Sequence, residues 1–533
     1  MTGLIFLLTF LSGILYAPNT IDSTVYHLTR IEFWLQHRNI DYFATQTDRM
    51  LYQPPLAEYM IMQFRILQNS DTFSFIIQWL FTLGACVGVS LLAEIAGAKK
   101  KTQYIAFFIS ATIPMVVLQS SSTQNDVTVS FFIVTAAYFL LKNLSDGKSL
   151  SAILTGISIG EAILTKGTAY VFLFPICMYW GIVTLKNVYL KKTSFGLQLR
   201  NLSLFILPFL IICGSFYYRN FVLIGSPLGV SKELFYVYNN QTHTLSSFIS
   251  VIIRNISLHF SVPGIHLLSE KIIFFIHEKV LGLNVNDPST SFTPFDLPML
   301  GMTEDNAGNF FHFILFFPAV IFITKHRNAN LRAITVFGLI SFLLFCFQIK
   351  FQIWHSRLHI PIFLLMSVPI AFYLSEIKRS VIIFTILGLS GVFFALFCFS
   401  RPIIKLSPLT TKTYFTAPRI SHIYHVEEMK SRQMAALITY LKDSKFRKIA
   451  VKSEEMYGND ILYPIMYELR DKVSFYPIQM TNRTKVLDKP RNDYDAVLFF
   501  TNTPPEILNV DKKYRKMEIN AGNLYIFVPQ NPV

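Results

Sequence analysis

The sequence predicts a polytopic α-helical membrane protein with juxtamembrane helices in its first long loop and a small α/β domain at its carboxyl end. Three observations predict it. The 533 residues are 52% hydrophobic and 15% charged, whereas a soluble domain is typically about a quarter charged. Apolar runs near the roughly 20 residues that cross a bilayer recur from residue 2 to residue 400. After residue 400 the composition turns soluble.

The apolar runs place about 11 spans, at 2–17, 73–97, 102–119, 127–142, 150–165, 167–185, 201–218, 309–324, 333–349, 358–375 and 380–400. Lys99, Lys100 and Lys101, then Lys142 and Lys148, then Lys186, Lys191, Lys192 and Arg200 occupy alternate connections. Lys325, Arg327 and Arg332, followed by Lys378 and Arg379, continue the pattern. The positive-inside rule makes these connections cytoplasmic, so the amino terminus is expected inside and the segment after residue 400 outside. The first run lacks a basic n-region and a small-x-small cleavage site, and reads as a retained helix rather than a signal peptide.

Three outside segments are long: 18–72, 219–308 and 401–533. In the second, the apolar stretch from Phe248 to Ile276 is interrupted by Arg254, His259, Pro263 and Glu270, which suits interfacial helices better than a span. The chain divides into a membrane domain over 1–400 and a tail domain over 401–533. The tail reads as a helix over Glu427–Leu441 and strands over 448–451, 473–476, 496–500, 516–519 and 523–528.

The net charge of +15 comes from Lys and Arg placed as orientation signals, and no nucleic-acid partner is expected. Cys86, Cys177, Cys213, Cys346 and Cys398 all lie in apolar runs without metal-ligand spacing, so neither a disulfide framework nor a cysteine metal site is expected.

Polar residues with chemical potential gather on the outside. Asp22 emerges where the first helix leaves the membrane, with Tyr26, His27 and Arg30 following about one turn apart, all on one face if the segment is helical. Partial burial there is expected to raise the basicity of Asp22 and fit it to take a proton from an attacking hydroxyl or amine; the plain alternative is a capping or solvated loop residue. Gln53 and Glu58 flank the prolines of Tyr52-Gln53-Pro54-Pro55-Leu56-Ala57-Glu58, a rigid start to a juxtamembrane helix. Asp126 ends the short connection Ser120-Ser121-Ser122-Thr123-Gln124-Asn125-Asp126, where it either caps the next helix, orients an acceptor, or binds a divalent cation with Asp22.

Four cations stand outside at span ends, against the positive-inside trend: Lys166, Arg219, Lys350 and Arg357, the last beside His355 in Trp354-His355-Ser356-Arg357-Leu358-His359. Together they suit a lipid phosphate, and individually they also suit snorkelling to headgroups. Glu304 and Asp305, just before the eighth span, either contact a polar acceptor or cap that helix.

Several stretches carry a family resemblance. They are Pro-Asn-x-x-Asp-Ser-x-x-Tyr-His-Leu-x-Arg at 18–30, Tyr-Gln-Pro-Pro-Leu-Ala-Glu at 52–58, Gln-Asn-Asp at 124–126 and Leu-Thr-Lys-Gly-Thr-Ala-Tyr at 164–170. Gly-Ser-Pro-Leu-Gly at 225–229, Glu-Asp-Asn-Ala-Gly-Asn at 304–309 and Trp-His-Ser-Arg-Leu-His at 354–359 complete the set. Over about residues 1–400 the chain resembles the polyprenol-phosphate-sugar-dependent glycosyltransferases of the GT-C superfamily, bacterial family 39, with its protein O-mannosyltransferase and lipid A aminoarabinose transferase relatives. The resemblance implies a GT-C membrane fold, a sugar donor on a polyprenyl phosphate, inversion at the anomeric carbon, Asp22 as general base and no obligatory cofactor, with a divalent cation left open. Protein mannosyltransferases carry an Asp-Glu pair at this point, whereas Asp22 is followed by Ser23.

These readings lead to an integral glycosyltransferase of the bacterial cytoplasmic membrane, acting on an envelope glycan, lipid or protein acceptor at the outer face. Asp22 and Asp126 are the catalytic candidates, Lys166, Arg219, Lys350 and Arg357 bind the donor phosphate, and Tyr26, His27, Arg30, Gln53, Glu58, Glu304, Asp305 and His355 contact substrate. A transporter or flippase for a lipid-linked glycan is the alternative, with an envelope assembly protein beside it. A transporter wants charge at mid-membrane; apart from Glu94 and Glu161, the spans have almost none.

Overall fold

The computed structural model describes residues 1–405, 413–424, 428–453, 459–489, 491, 493–500, 514–517 and 524–529. A helix stands at each of the eleven expected positions. Ile76–Ile95, Asp126–Asp146, Ala169–Tyr189, Phe195–Ile224 and Ala329–Gln348 are long and apolar enough to cross a membrane singly. Thr2–Leu15, Ser149–Thr165, Phe310–Thr324, Ile360–Glu376 and Ser380–Leu396 are apolar but shorter.

The span expected over 102–119 is instead two helices, Lys100–Ala111 and Pro114–Ser120, bent by 66°. Proline cannot donate its amide, and it disfavours helical geometry in the residue before it. Ile113 accordingly adopts φ −62° and ψ 119°, and the helix restarts at Pro114. The bend leads the chain directly into the polar connection that ends at Asp126.

Small residues set the closest approach between helices. A side chain at Gly156 would overlap the backbone carbonyl of Phe205, so helices Ser149–Thr165 and Phe195–Ile224 pack backbone against backbone there. Glycine permits that approach because it has no Cβ.

The second long loop holds the separate helices Lys232–Tyr238, Leu245–Ser257 and Ile265–Phe275. Arg254, expected to interrupt an interfacial stretch, is fully buried and donates to the Val285 carbonyl at 2.8 Å and to Thr290 Oγ1 at 3.0 Å. It ties the loop to itself, satisfying a charge that would otherwise be costly to bury.

The tail forms a five-stranded mixed sheet of β1 (Lys448–Ser453), β2 (Ser474–Pro477), β3 (Ala496–Phe500), β4 (Tyr514–Met517) and β5 (Leu524–Pro529), in the order β2-β1-β3-β5-β4. β1 runs parallel to β2 and β3, whereas β5 is antiparallel to β3 and β4. The fourth strand starts two residues earlier than 516–519, and residues 518 and 519 lie outside the described set. The helix expected over Glu427–Leu441 is observed at Glu428–Asp443.

The tail and the first loop share one apolar cluster, in which Leu28, Ile31 and Trp34 join Tyr463, Met466 and Phe475. Polar contacts fix the register between them. Gln36 Nε2 donates to the Phe475 carbonyl and the Phe475 amide donates to Gln36 Oε1, both at 2.8 Å. Buried Asp71 accepts from Arg419 and from the Tyr463 hydroxyl. The first loop is thus held between the membrane helices and the tail sheet.

Candidate active site

Several helix ends meet at one polar cluster. Asp22 immediately precedes a π-turn, Ser23–His27, and Arg357 lies in the one-turn helix His355–Leu358. Asp305 is in the loop before Phe310–Thr324, and Asp126 opens the helix Asp126–Asp146. Lys166 follows Ser149–Thr165 with extended backbone, φ −159° and ψ 136°.

Arg357 joins two of these carboxylates. Its Nη2 pairs with Asp22 Oδ2 at 2.8 Å, and its Nη1 donates to Asp305 Oδ1 at 2.6 Å. Lys166 Nζ donates to Asp126 Oδ1 at 2.5 Å. Gln119 Nε2 donates to Asp126 Oδ2 at 3.2 Å and to the Glu304 carbonyl at 2.7 Å, while Gln124 Nε2 donates to Asp305 Oδ1 at 3.3 Å. Asp126 does not cap its helix: Asn125 is the N-cap, and the Asp126 side chain is spent on Lys166 and Gln119. Its charge in the first turn still complements the helix dipole.

The electrostatics correct one expectation. Burial by itself lifts a carboxyl, but Arg357, and then His27, Lys166 and Arg49, outweigh it and hold Asp22 down at about 2. The half-buried setting therefore does not raise its basicity, because its cation neighbours dominate. Asp305 goes the other way. Burial lifts it, Arg357 opposes, Glu304, Asp22 and Asp126 add to the lift, and the carboxyl settles at about 7.

Tyr26 faces this cluster, its phenol pushed well above the usual range by burial and by Asp22. His27 and Arg30 do not share that face. The π-turn brings the Leu28 amide to the Ser23 carbonyl, five residues back, which shifts the register assumed for a regular helix. His27 and Arg30 both meet the Glu58 carboxylate in a buried triad instead, with Arg30 also donating to the Gln53 carbonyl at 2.8 Å. Burial would raise Glu58, but Arg30 and His27 bring it down to about 2.

The remaining cations lie apart from Asp22. Arg219 donates to the Ile40 carbonyl at 2.8 Å and to the Tyr59 hydroxyl at 2.9 Å, stacked over the Tyr42 ring. Lys350 is nearly buried beside the Tyr238 segment, to whose carbonyl its amide donates at 2.9 Å. His355 bonds Asn255 through Nδ1 at 2.9 Å, and burial pushes its imidazole well below the usual range.

Two arginines belong to the site that sequence reasoning missed. Arg49 bonds the Tyr238 hydroxyl at 2.5 Å and adds its positive charge to Asp22. Its signal is the same as that of Lys166, a basic residue in a loop expected outside. Arg401 pairs with Glu304 Oε2 at 3.1 Å and donates to Ser121 Oγ, Asn19 Oδ1 and the Leu118 carbonyl, anchoring the 304–305 loop from the first residue of the tail. Nothing in its local sequence marks it. Among the described residues, no group of three His, Cys, Asp or Glu side chains is arranged to hold a metal ion.

Residues 32–224 match the family model described as dolichyl-phosphate-mannose-protein mannosyltransferase. Over that segment the chain is similar to the mannosyltransferase family, and its helices are arranged as in two solved structures of one membrane protein. Its fold is that of ArnT from Cupriavidus metallidurans. The undecaprenyl-phosphate-bound crystal structure of that protein aligns at TM-score 0.59 and 11% identity over 98% of this chain and 96% of the other. The apo structure gives 0.57 and 12% over 98% and 95%. No curated protein sequence matches the chain.

Proposed function

We propose that the protein transfers a sugar from a polyprenyl-phosphate donor to an envelope acceptor at the outer face of the bacterial cytoplasmic membrane, with its amino terminus inside and its tail outside. The observation that carries this is the alternation of Asp22, Arg357, Asp305, Lys166 and Asp126 at one meeting of helix ends. Carboxylates beside cations suit a reaction in which a proton leaves the acceptor as negative charge develops on a departing phosphate. The undecaprenyl phosphate in the ArnT structure supports a lipid phosphate as the leaving group.

In this reading the acceptor oxygen or nitrogen attacks the anomeric carbon, the carbon–oxygen bond to phosphate breaks, and the electron pair leaves on polyprenyl phosphate. Asp22 takes the acceptor's proton. Arg357, Lys166 and Arg49 stabilise the phosphate, and Asp126 keeps Lys166 in place. As Arg357 turns toward phosphate, its hold on Asp22 relaxes and the carboxylate becomes more basic when a base is needed. The acceptor class stays open between glycan, lipid and protein.

The direct test is release of polyprenyl phosphate by purified full-length protein given a synthetic series of hexosyl and pentosyl polyprenyl phosphates, with Asp22→Asn alongside. Release that depends on Asp22 is the expected result. No release across the series, or equal release by the variant, overturns the reading.

The same assay separates the cations. Lys166→Ala is expected to raise the apparent donor KM about tenfold or more, as a lost charge-assisted hydrogen bond of about 1.5–3 kcal/mol requires. Arg219→Ala, whose guanidinium is engaged with Ile40 and Tyr59, is expected to change it by less than about threefold. The reverse order would move the phosphate site to Arg219.

A further inference from the structure

We propose that Asp305 is the carboxylate on which the acceptor's proton comes to rest after Asp22 first takes it, an inference that rests on the glycosyl-transfer reading. The geometry points to it. One guanidinium holds both groups, Nη2 on Asp22 Oδ2 and Nη1 on Asp305 Oδ1, so the two carboxylates answer to the same cation from its two arms. When that guanidinium moves to the departing phosphate, both are released together. Gln124 keeps Asp305 in place by donating to the same Oδ1, and among the described residues no hydrogen bond is made to Oδ2, which remains able to receive a proton.

Exposure sets the direction. The Asp305 side chain is 34% exposed and that of Asp22 16%, so Asp305 stands nearer solvent, where the proton must finally go. The groups facing Asp305 come from every neighbouring element: Arg357 ahead of Ile360–Glu376, Asp22 from the first loop, Asp126 at the start of its helix, Glu304 on its own loop, and Arg401 beyond Glu304. Burial and the carboxylates of Glu304, Asp22 and Asp126 lift the Asp305 carboxyl, whereas His27, Lys166 and Arg49 still draw Asp22 down once Arg357 has left, so Asp305 is the better resting place. The proton is conserved throughout: it leaves the acceptor for Asp22, passes to Asp305 and is lost to water, while the electron pair of the broken bond leaves on polyprenyl phosphate.

The test is kcat against pH for full-length protein in lipid nanodiscs, using the synthetic polyprenyl-phosphate sugar turned over fastest and water as acceptor. Asp305 must be ionised to receive a proton, so wild-type kcat is expected to rise with pH along a limb that lies above the ordinary carboxylate range. In Asp305→Asn that limb is expected to vanish, with kcat at pH 7.5 lower by about 10- to 100-fold, the lower reach of general-base effects. In Asp305→Glu the limb is expected to persist at a shifted midpoint. A limb that stays in Asp305→Asn overturns the proposal. If Asp305→Asn does not fold, an unshifted limb in Asp305→Glu overturns it instead. Asp22→Asn run in parallel separates the two levels: full turnover there removes the transfer reading itself, whereas an inactive Asp22→Asn beside an unaltered Asp305→Asn removes only the role of Asp305.

Discussion

Asp22→Asn is expected to lower turnover by about 10²–10⁴-fold, the range for losing a general base. The substitution keeps the side chain's shape and removes its charge, so helix packing is little disturbed. Arg357 keeps its bond to Asp305, and without Asp22 it is freer to meet the donor phosphate. The expected signature is therefore a collapse in kcat with donor KM unchanged or lowered, the pattern of an interaction lost in the transition state. A matched rise in KM with kcat preserved would instead make Asp22 a donor-binding residue.

Glu58→Ala is expected to cause the largest loss of stability. Glu58 is fully buried and neutralises Arg30, itself 1% exposed, while bonding His27. Removing one partner of a buried pair strands the other charge and costs about 3–5 kcal/mol. The measurement is the denaturation midpoint of purified protein in detergent, where an unchanged midpoint would show that Arg30 finds another partner. The pH dependence has a defined sign. The Glu58 carboxyl is depressed to about 2, so its contribution is complete above the unfolded-state value of about 4.3 and is lost as pH falls through 2. Glu58→Gln is expected to flatten the acid dependence of the midpoint across that window.

The parts of the site that sequence showed share one property. Asp22, Asp126, Lys166, Asp305 and Arg357 are charges at the ends of apolar runs, where ionisable groups are costly unless paired or used. That cost makes them conspicuous one at a time. What they pair with is another matter. Lys166 lies forty residues from Asp126, and Arg357 lies on a different helix end from either of its carboxylates. No local pattern encodes those meetings. Arg49 and Arg401 are inconspicuous for the same reason: each is an ordinary loop arginine until the fold brings Tyr238 to one and Glu304 to the other.

The first loop shows the limit of periodicity. Tyr26, His27 and Arg30 fit one helical face by spacing, and a single π-turn is enough to send His27 and Arg30 to Glu58 while Tyr26 stays with Asp22. The acidity of Asp22 is invisible in the sequence for a related reason. Burial can be anticipated from its position at the membrane surface, but the opposing cations come from three separate parts of the chain.

By itself the sequence determined the membrane class, the eleven positions at which apolar helices were expected and stand, the α/β character of the tail and the charged residues that stand out at helix ends. Those follow from composition and from short-range periodicity, which act within one segment. Only the tertiary structure decided which carboxylate each cation meets, that Asp22 is held acidic while Asp305 is lifted, and that the tail anchors the 304–305 loop through Arg401. Electrostatic energies depend on distance in space, and distance in space between remote segments is set by the packing of the whole bundle.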